Sequence, residues 1–252
     1  MTCWWVAGIS RHSVATLAVE SLSVDSVERS EVLRYLGYRG QELTPELEAR
    51  LDDAIAHCLE MARPRACLRS FDIESNTVRD DGVPELVLAG AALRLSGESI
   101  SKHLSGAVAV GVMAVTLGMG VERELKRLSL TDAMEQVIFD AAATAVVERA
   151  ADAAEARLVA DAAARGLYTT WRFSPGYGDF PLESQTTLLA ALDAQRRLGI
   201  TLTPSLLMVP TKSVTAVVGY FDEPRQKARP GCAACNLHDW CTVRTSGTTC
   251  QR

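Results

Sequence analysis

Apolar residues recur along this chain with two different periods, and the switches between them mark its elements. Val32, Leu33 and Leu36 follow an Asp25-x-x-Glu28 pair that reads as a capping box, which predicts a short helix ended by Gly37. Thr44-Pro45 offers an N-cap residue followed by proline at the first helical position. Leu47, Leu51, Ala54, Ile55, Cys58 and Leu59 then lie on one helical face, a pattern that belongs to a scaffold packing on a core. From residue 68 the period shortens. Residues 68–73, 85–88 and 92–95 have strand composition and are punctuated by Asn76, Gly82, Pro84, Gly90 and Gly97, as in hairpins or a meander. Residues 99–104 suit one helical turn or two.

Residues 107–116 are short and rich in valine, which predicts a strand buried on both faces. The strand runs into Gly118-x-Gly120. With no third glycine and no following Lys-Ser/Thr pair, this reads as a plain strand-to-helix turn, not a phosphate loop. Residues 131–165 form the longest helical block, with a small-residue stripe through Val137, Ile138, Ala141, Ala145, Val146 and Ala150. Glu148, Asp152 and Glu155 share another face of it, which reads as a solvated face unless one of them meets a ligand. An amphipathic helix is expected over 182–198, closed by Arg196-Arg197 and Gly199, and strands over 206–209 and 213–220. Helices and strands do not alternate regularly, so the fold class is α+β.

One stretch fits neither period. Trp171-Arg172-Phe173-Ser174-Pro175-Gly176-Tyr177-Gly178-Asp179-Phe180-Pro181 is too dense in proline and glycine for a regular element. An arginine and a tyrosine on such a loop can grip a carboxylate and cover a small ligand. A surface turn with its aromatics packed inward is the alternative.

Composition narrows the function classes. At 252 residues, 48% hydrophobic and 23% charged, the chain fits one large domain or two small ones. A net charge of −5 and the lack of a long Lys/Arg run argue against nucleic-acid binding. The strongest apolar run, 107–117, is well short of the ~20 residues of a membrane span. The apolar start is followed, not preceded, by Arg11, so it makes a poor secretory signal, and a cytoplasmic protein without membrane contact is expected. Residues 1–22 read as an N-terminal extension, 23–221 as the main domain, 222–231 as a charged linker and 232–252 as a cysteine-rich tail.

Cys232-x2-Cys235-x5-Cys241-x8-Cys250 supplies soft ligands from a segment with little core of its own, so a bound metal would provide folding energy. Zinc and an iron–sulfur cluster both remain open, as does a tail of free or disulfide-bonded thiols. Cys3, Cys58 and Cys67 are scattered and read as small buried hydrophobes.

Several stretches together resemble the reactivation domain of cobalamin-dependent methionine synthase, in its free-standing form. They are Glu31-Val-Leu-Arg-Tyr-Leu-Gly-Tyr-Arg-Gly-Gln41, Leu93-x-Leu95 through Ile100-x-x-His103-Leu104, Thr116-Leu-Gly118-x-x-Val121-Glu122, Arg172-x-Ser174-Pro175-Gly176-Tyr177, and Leu202-Thr203-x-Ser205 to Ser213-Val214. The resemblance spans roughly residues 24–221, and the Arg-x-x-Pro-Gly-Tyr loop is its most specific part. It implies an antiparallel sheet with long packed helices and a bound S-adenosylmethionine. Arg172 would hold the methionine carboxylate, with Ser174, Pro175, Gly176 and Tyr177 lining the pocket. Tyr220 and an acidic residue of the long helix, Glu148 or Asp152, would complete it. Gly178 and Ser174 stand where the family has proline and alanine, and the cysteine tail has no counterpart in the methionine synthase domain itself. The implied function is reductive methylation of cobalamin carried by a separate methyltransferase subunit, with an electron donor as a further partner. A metal-binding scaffold or sensor that keeps the fold without methyl transfer is the alternative.

Overall fold

A run of alternating apolar side chains that can be buried on both faces belongs at the middle of a sheet, and β5 (Ala109–Thr116) lies there with every residue buried. In a computed structural model describing residues 18–225, β5 pairs antiparallel with β2 (Arg65–Val78) on one side and β9 (Ser213–Phe221) on the other. β2 changes partner along its length. It pairs with β5 through Asp72, shifts register between Ile73 and Ser75, and continues against β3 (Pro84–Leu88), which pairs with β4 (Arg94–Ser96). Such an irregularity bends and twists a strand, so the antiparallel sheet curls. β6 (Tyr168–Thr169) adds to the outer edge of β9, and β1 (Ala18–Ser21) pairs with residues 65–68 of β2. Residues 18–21, assigned by sequence to the extension, are therefore part of the sheet.

Alternation along β5 feeds two cores. Ala109, Met113 and Val115 join a cluster under α1 (Arg29–Tyr35), α2 (Pro45–Met61), α4 (Met119–Thr131) and α5 (Ala133–Ala164). Val110, Val112 and Ala114 face the other way, toward α3 (Glu98–His103), α6 (Ser184–Ala191) and α7 (Ala194–Leu198). α5 has 32 residues, about 48 Å of helix. Asp132 caps it by accepting the Met134 and Glu135 N–H groups at 3.0 Å each, and its buried alanines allow close approach to the sheet. α2 begins as expected, with Thr44 Oγ1 accepting the Leu47 N–H and Pro45 at the first position.

Three local expectations are corrected. No capping box forms at residues 25–28: Glu28 is itself the N-cap of α1, without a side-chain bond, and Asp25 accepts the Ser23 hydroxyl instead. The helix expected over 182–198 is two, because Asp193 takes a left-handed conformation (φ 50°) between α6 and α7. The expected strand at 206–209 shrinks to β8 (Met208–Val209), which pairs with an unexpected β7 (Thr201–Leu202). Cys58 and Cys67 are fully buried, and burial pushes the Cys58 thiol up to about 12, so both behave as the expected hydrophobes. The cysteine tail and Cys3 lie outside the described residues.

Candidate ligand-binding site

The loop at 171–181 leaves β6 and runs beside β9, where Phe173 exchanges two backbone bonds with Val217 at 2.8 and 2.9 Å. That bridge sets the direction of the neighbouring side chains. Phe173 packs against the core containing α3 and α6, whereas Arg172 reaches α5 on the opposite side. Short glycine-permitted turns shape the tip: Gly176 (φ 89°) donates to the Phe180 carbonyl at 2.8 Å, and Tyr177 donates to the Ser174 carbonyl at 3.1 Å. Pro175 and Phe180 are buried, while Tyr177 stands 60% exposed with its ring edge-on to Phe173 at 6.0 Å.

Two carboxylate contacts hold the loop. Asp179 accepts the N–H groups of Glu98 at 2.7 Å and Ser99 at 2.8 Å, so it caps α3 from a distant part of the chain. The Ser99 N–H, foremost, holds the Asp179 carboxyl below its ordinary range. His103, at the other end of α3, bridges the Trp171 carbonyl at 3.0 Å and Thr170 Oγ1 at 3.2 Å. Burial pushes its pKa below the ordinary 6.5, against the opposing effect of the Trp171 carbonyl.

Arg172 is the second anchor. Its Nη1 lies 2.7 Å from both Asp152 and Glu155, its Nη2 lies 2.8 Å from Glu148, and its backbone N–H donates to Glu155 at 3.2 Å. The acidic face of α5 thus converges on one arginine. Its side chain is only 13% exposed. Burial opposes its charge, but the hydrogen bonds of Asp152 and Glu155 and the fields of Asp152 and Glu148 prevail and raise its pKa. The candidates Arg172 and Glu148 are therefore in contact, with Ser174, Pro175, Gly176 and Tyr177 on the same loop.

Tyr220 lies further along α5. It is fully buried, donates to Asp161 at 3.0 Å, and burial, reinforced by the Asp161 charge, raises its pKa. Asp161 is six residues beyond Glu155, about 9 Å along the helix axis. A Cβ at Gly111 would come within 2.9 Å of the Tyr220 ring, so this glycine makes the room for it. Toward the start of α5, Tyr35, Leu36, Gln136, Val137, Asp140 and Thr144 line a cavity of about 310 Å³ of mixed polar and apolar character, one helical turn from Glu148. Lys212 closes that region by reaching Asp140 and Thr144 at 2.9 Å each. Sequence reasoning missed the Asp179 cap and the joint role of Asp152 and Glu155. The i, i+4, i+7 spacing of the acids was the available signal for the latter.

A curled antiparallel sheet with a long helix on one face and a loop anchored to helices on both sides defines an α+β domain. Residues 99–229 match the family model for the activation domain of vitamin B12 dependent methionine synthase, and the chain belongs to that family. Its fold is similar to a crystal structure of the MetH reactivation domain bound to AdoHcy, with a TM-score of 0.55 at 18% sequence identity, covering 94% of this chain and 88% of that one. No curated protein matches. Among the described residues no group of acidic, histidine or cysteine side chains is arranged to hold a metal, and no helix is long and apolar enough to cross a membrane.

Proposed function

We propose that this protein binds S-adenosylmethionine between the 171–181 loop and α5 and supports reductive methylation of the cobalamin of a separate methyltransferase subunit. The observation that carries the proposal is the convergence of Arg172 and Glu148, from a loop and a helix inside the family-matched segment. A planar guanidinium suits the carboxylate of an amino-acid headgroup, and Glu148 suits its ammonium. Tyr177 offers exposed aromatic surface on the same loop, and Gly176 keeps the backbone open, since a Cβ there would meet only Leu182 Cδ1, at 3.6 Å. Arg172 and Glu148 therefore suit the ligand's amino-acid headgroup. S-adenosylmethionine supplies an electrophilic methyl group when bound; the protein's part is binding and orientation. Asp179 and His103 keep the loop in place for that task.

Cys232, Cys235, Cys241 and Cys250 are proposed to hold zinc or an iron–sulfur cluster, the latter being a route for the electron that reactivation requires. A scaffold or sensor without methyl transfer is the second reading, favoured by an arginine whose Nη1 and Nη2 already pair with α5 carboxylates. Calorimetry with S-adenosylmethionine separates the two. Saturable binding by the intact protein, lost in Arg172→Ala, supports the proposal; no binding, or equal binding by the variant, sinks it.

A further inference from the structure

Resting on that reading of the loop, a more specific role follows from how unequally the three carboxylates hold Arg172. Glu155 is 18% exposed and grips both the guanidinium and the backbone N–H of Arg172, so moving it would undo two contacts at once. Glu148 stands alone on Nη2. Asp152 shares Nη1 with Glu155, is 50% exposed, and has a second cation within reach, since Arg149 Nη1 lies 3.8 Å from its other oxygen. Three negative charges around one positive charge repel each other, and the most exposed one with an alternative partner is the easiest to release.

We propose that Asp152 is a built-in placeholder: it occupies the position on Arg172 that the ligand's carboxylate takes, and turns to Arg149 when the ligand enters. The exchange keeps the local charge balanced. The incoming carboxylate replaces the departing one, and the ligand's ammonium meets Glu148, so no charge is left without a partner in a partly buried site. This makes the site selective for a zwitterionic amino-acid headgroup. Glu155 is then a positioning residue that holds the loop backbone while the exchange takes place.

The test is titration of S-adenosylmethionine, S-adenosylhomocysteine and decarboxylated S-adenosylmethionine into the intact protein and its Asp152→Ala, Asp152→Asn and Arg149→Ala variants. Both Asp152 variants are expected to bind the two carboxylate-bearing ligands about three- to fivefold more tightly, the factor expected for removing a half-exposed competing ion pair. S-adenosylhomocysteine should gain at least as much as S-adenosylmethionine, because it lacks the sulfonium charge that a nearby carboxylate attracts. Decarboxylated S-adenosylmethionine should not gain. Arg149→Ala should bind more weakly, having lost the second resting place for Asp152. Wild-type binding that is unchanged or weakened in both Asp152 variants overturns the placeholder while leaving the site intact. A gain that extends to the decarboxylated ligand also overturns it. Failure of wild type and variants alike to bind S-adenosylmethionine overturns the proposed function itself.

Discussion

Asp179 and Ser99 are eighty residues apart in sequence, yet the Asp179 carboxylate accepts the Ser99 N–H at 2.8 Å. An acceptor that a helix start ordinarily finds in its own N-cap residue comes here from the 171–181 loop, because the N-cap of α3 is Gly97, which has no side chain to offer. The loop and α3 therefore stabilise each other. Asp179→Ala is expected to cost about 1 kcal/mol of stability and to speed hydrogen exchange at the Glu98 and Ser99 amides. Urea unfolding with amide exchange measures both, and unchanged exchange at those two amides would contradict the cap.

Gly97 should tolerate substitution poorly for the same reason. Its φ of 128° suits glycine, and a Cβ there would lie 2.9 Å from the Asp179 carbonyl oxygen. Gly97→Ala is expected to lose about 1–3 kcal/mol, through backbone strain and displacement of the loop. Thermal unfolding checks the first effect, and weakened S-adenosylmethionine binding checks the second.

The hydroxyl of Tyr220 should matter for stability more than for ligand binding. Tyr220→Phe leaves the Asp161 carboxylate without its donor, at a cost of about 1 kcal/mol. If calorimetry shows that the variant also loses S-adenosylmethionine affinity more than tenfold, Tyr220 belongs to the site despite its burial.

Acid should loosen the loop in two windows. Burial depresses the His103 pKa in the fold, so the neutral ring's contribution is complete above 6.5 and declines as the pH falls below that value toward the folded pKa. Asp179, also depressed, contributes fully above its ordinary 3.8 and loses that contribution only as the pH falls through its lower folded value. Urea midpoints between pH ~7.5 and ~5 should therefore drop in wild type and drop less in His103→Gln. Equal slopes would remove His103 from the account.

The cysteine tail is tested independently of the loop. Protein purified without oxygen is expected to carry zinc or iron, with broad visible absorption marking a cluster and a colourless zinc protein excluding electron delivery by the tail. Cys232→Ser with Cys235→Ser should lose most of that metal while keeping S-adenosylmethionine affinity. Full metal content in the double variant would refute the assignment.

What local sequence determined, it determined through short-range physics. The proline and hydroxyl at 44–45 start α2, the Val-rich run at 109–116 fills the sheet centre, and the small-residue stripe sets the face on which α5 packs. Proline and glycine at 171–181 excluded a regular element there. Elsewhere local signals were overruled. β1, β6 and β7 are too short to show a period and exist because a neighbouring strand offers hydrogen bonds. The left-handed turn at Asp193, which splits the helix expected over 182–198, has no glycine to announce it. Above all, the α5 acids read as a solvated face until the fold brought Arg172 against them. A charge pattern on one helix says which side chains lie together, but only the path of a distant loop decides which cation they meet.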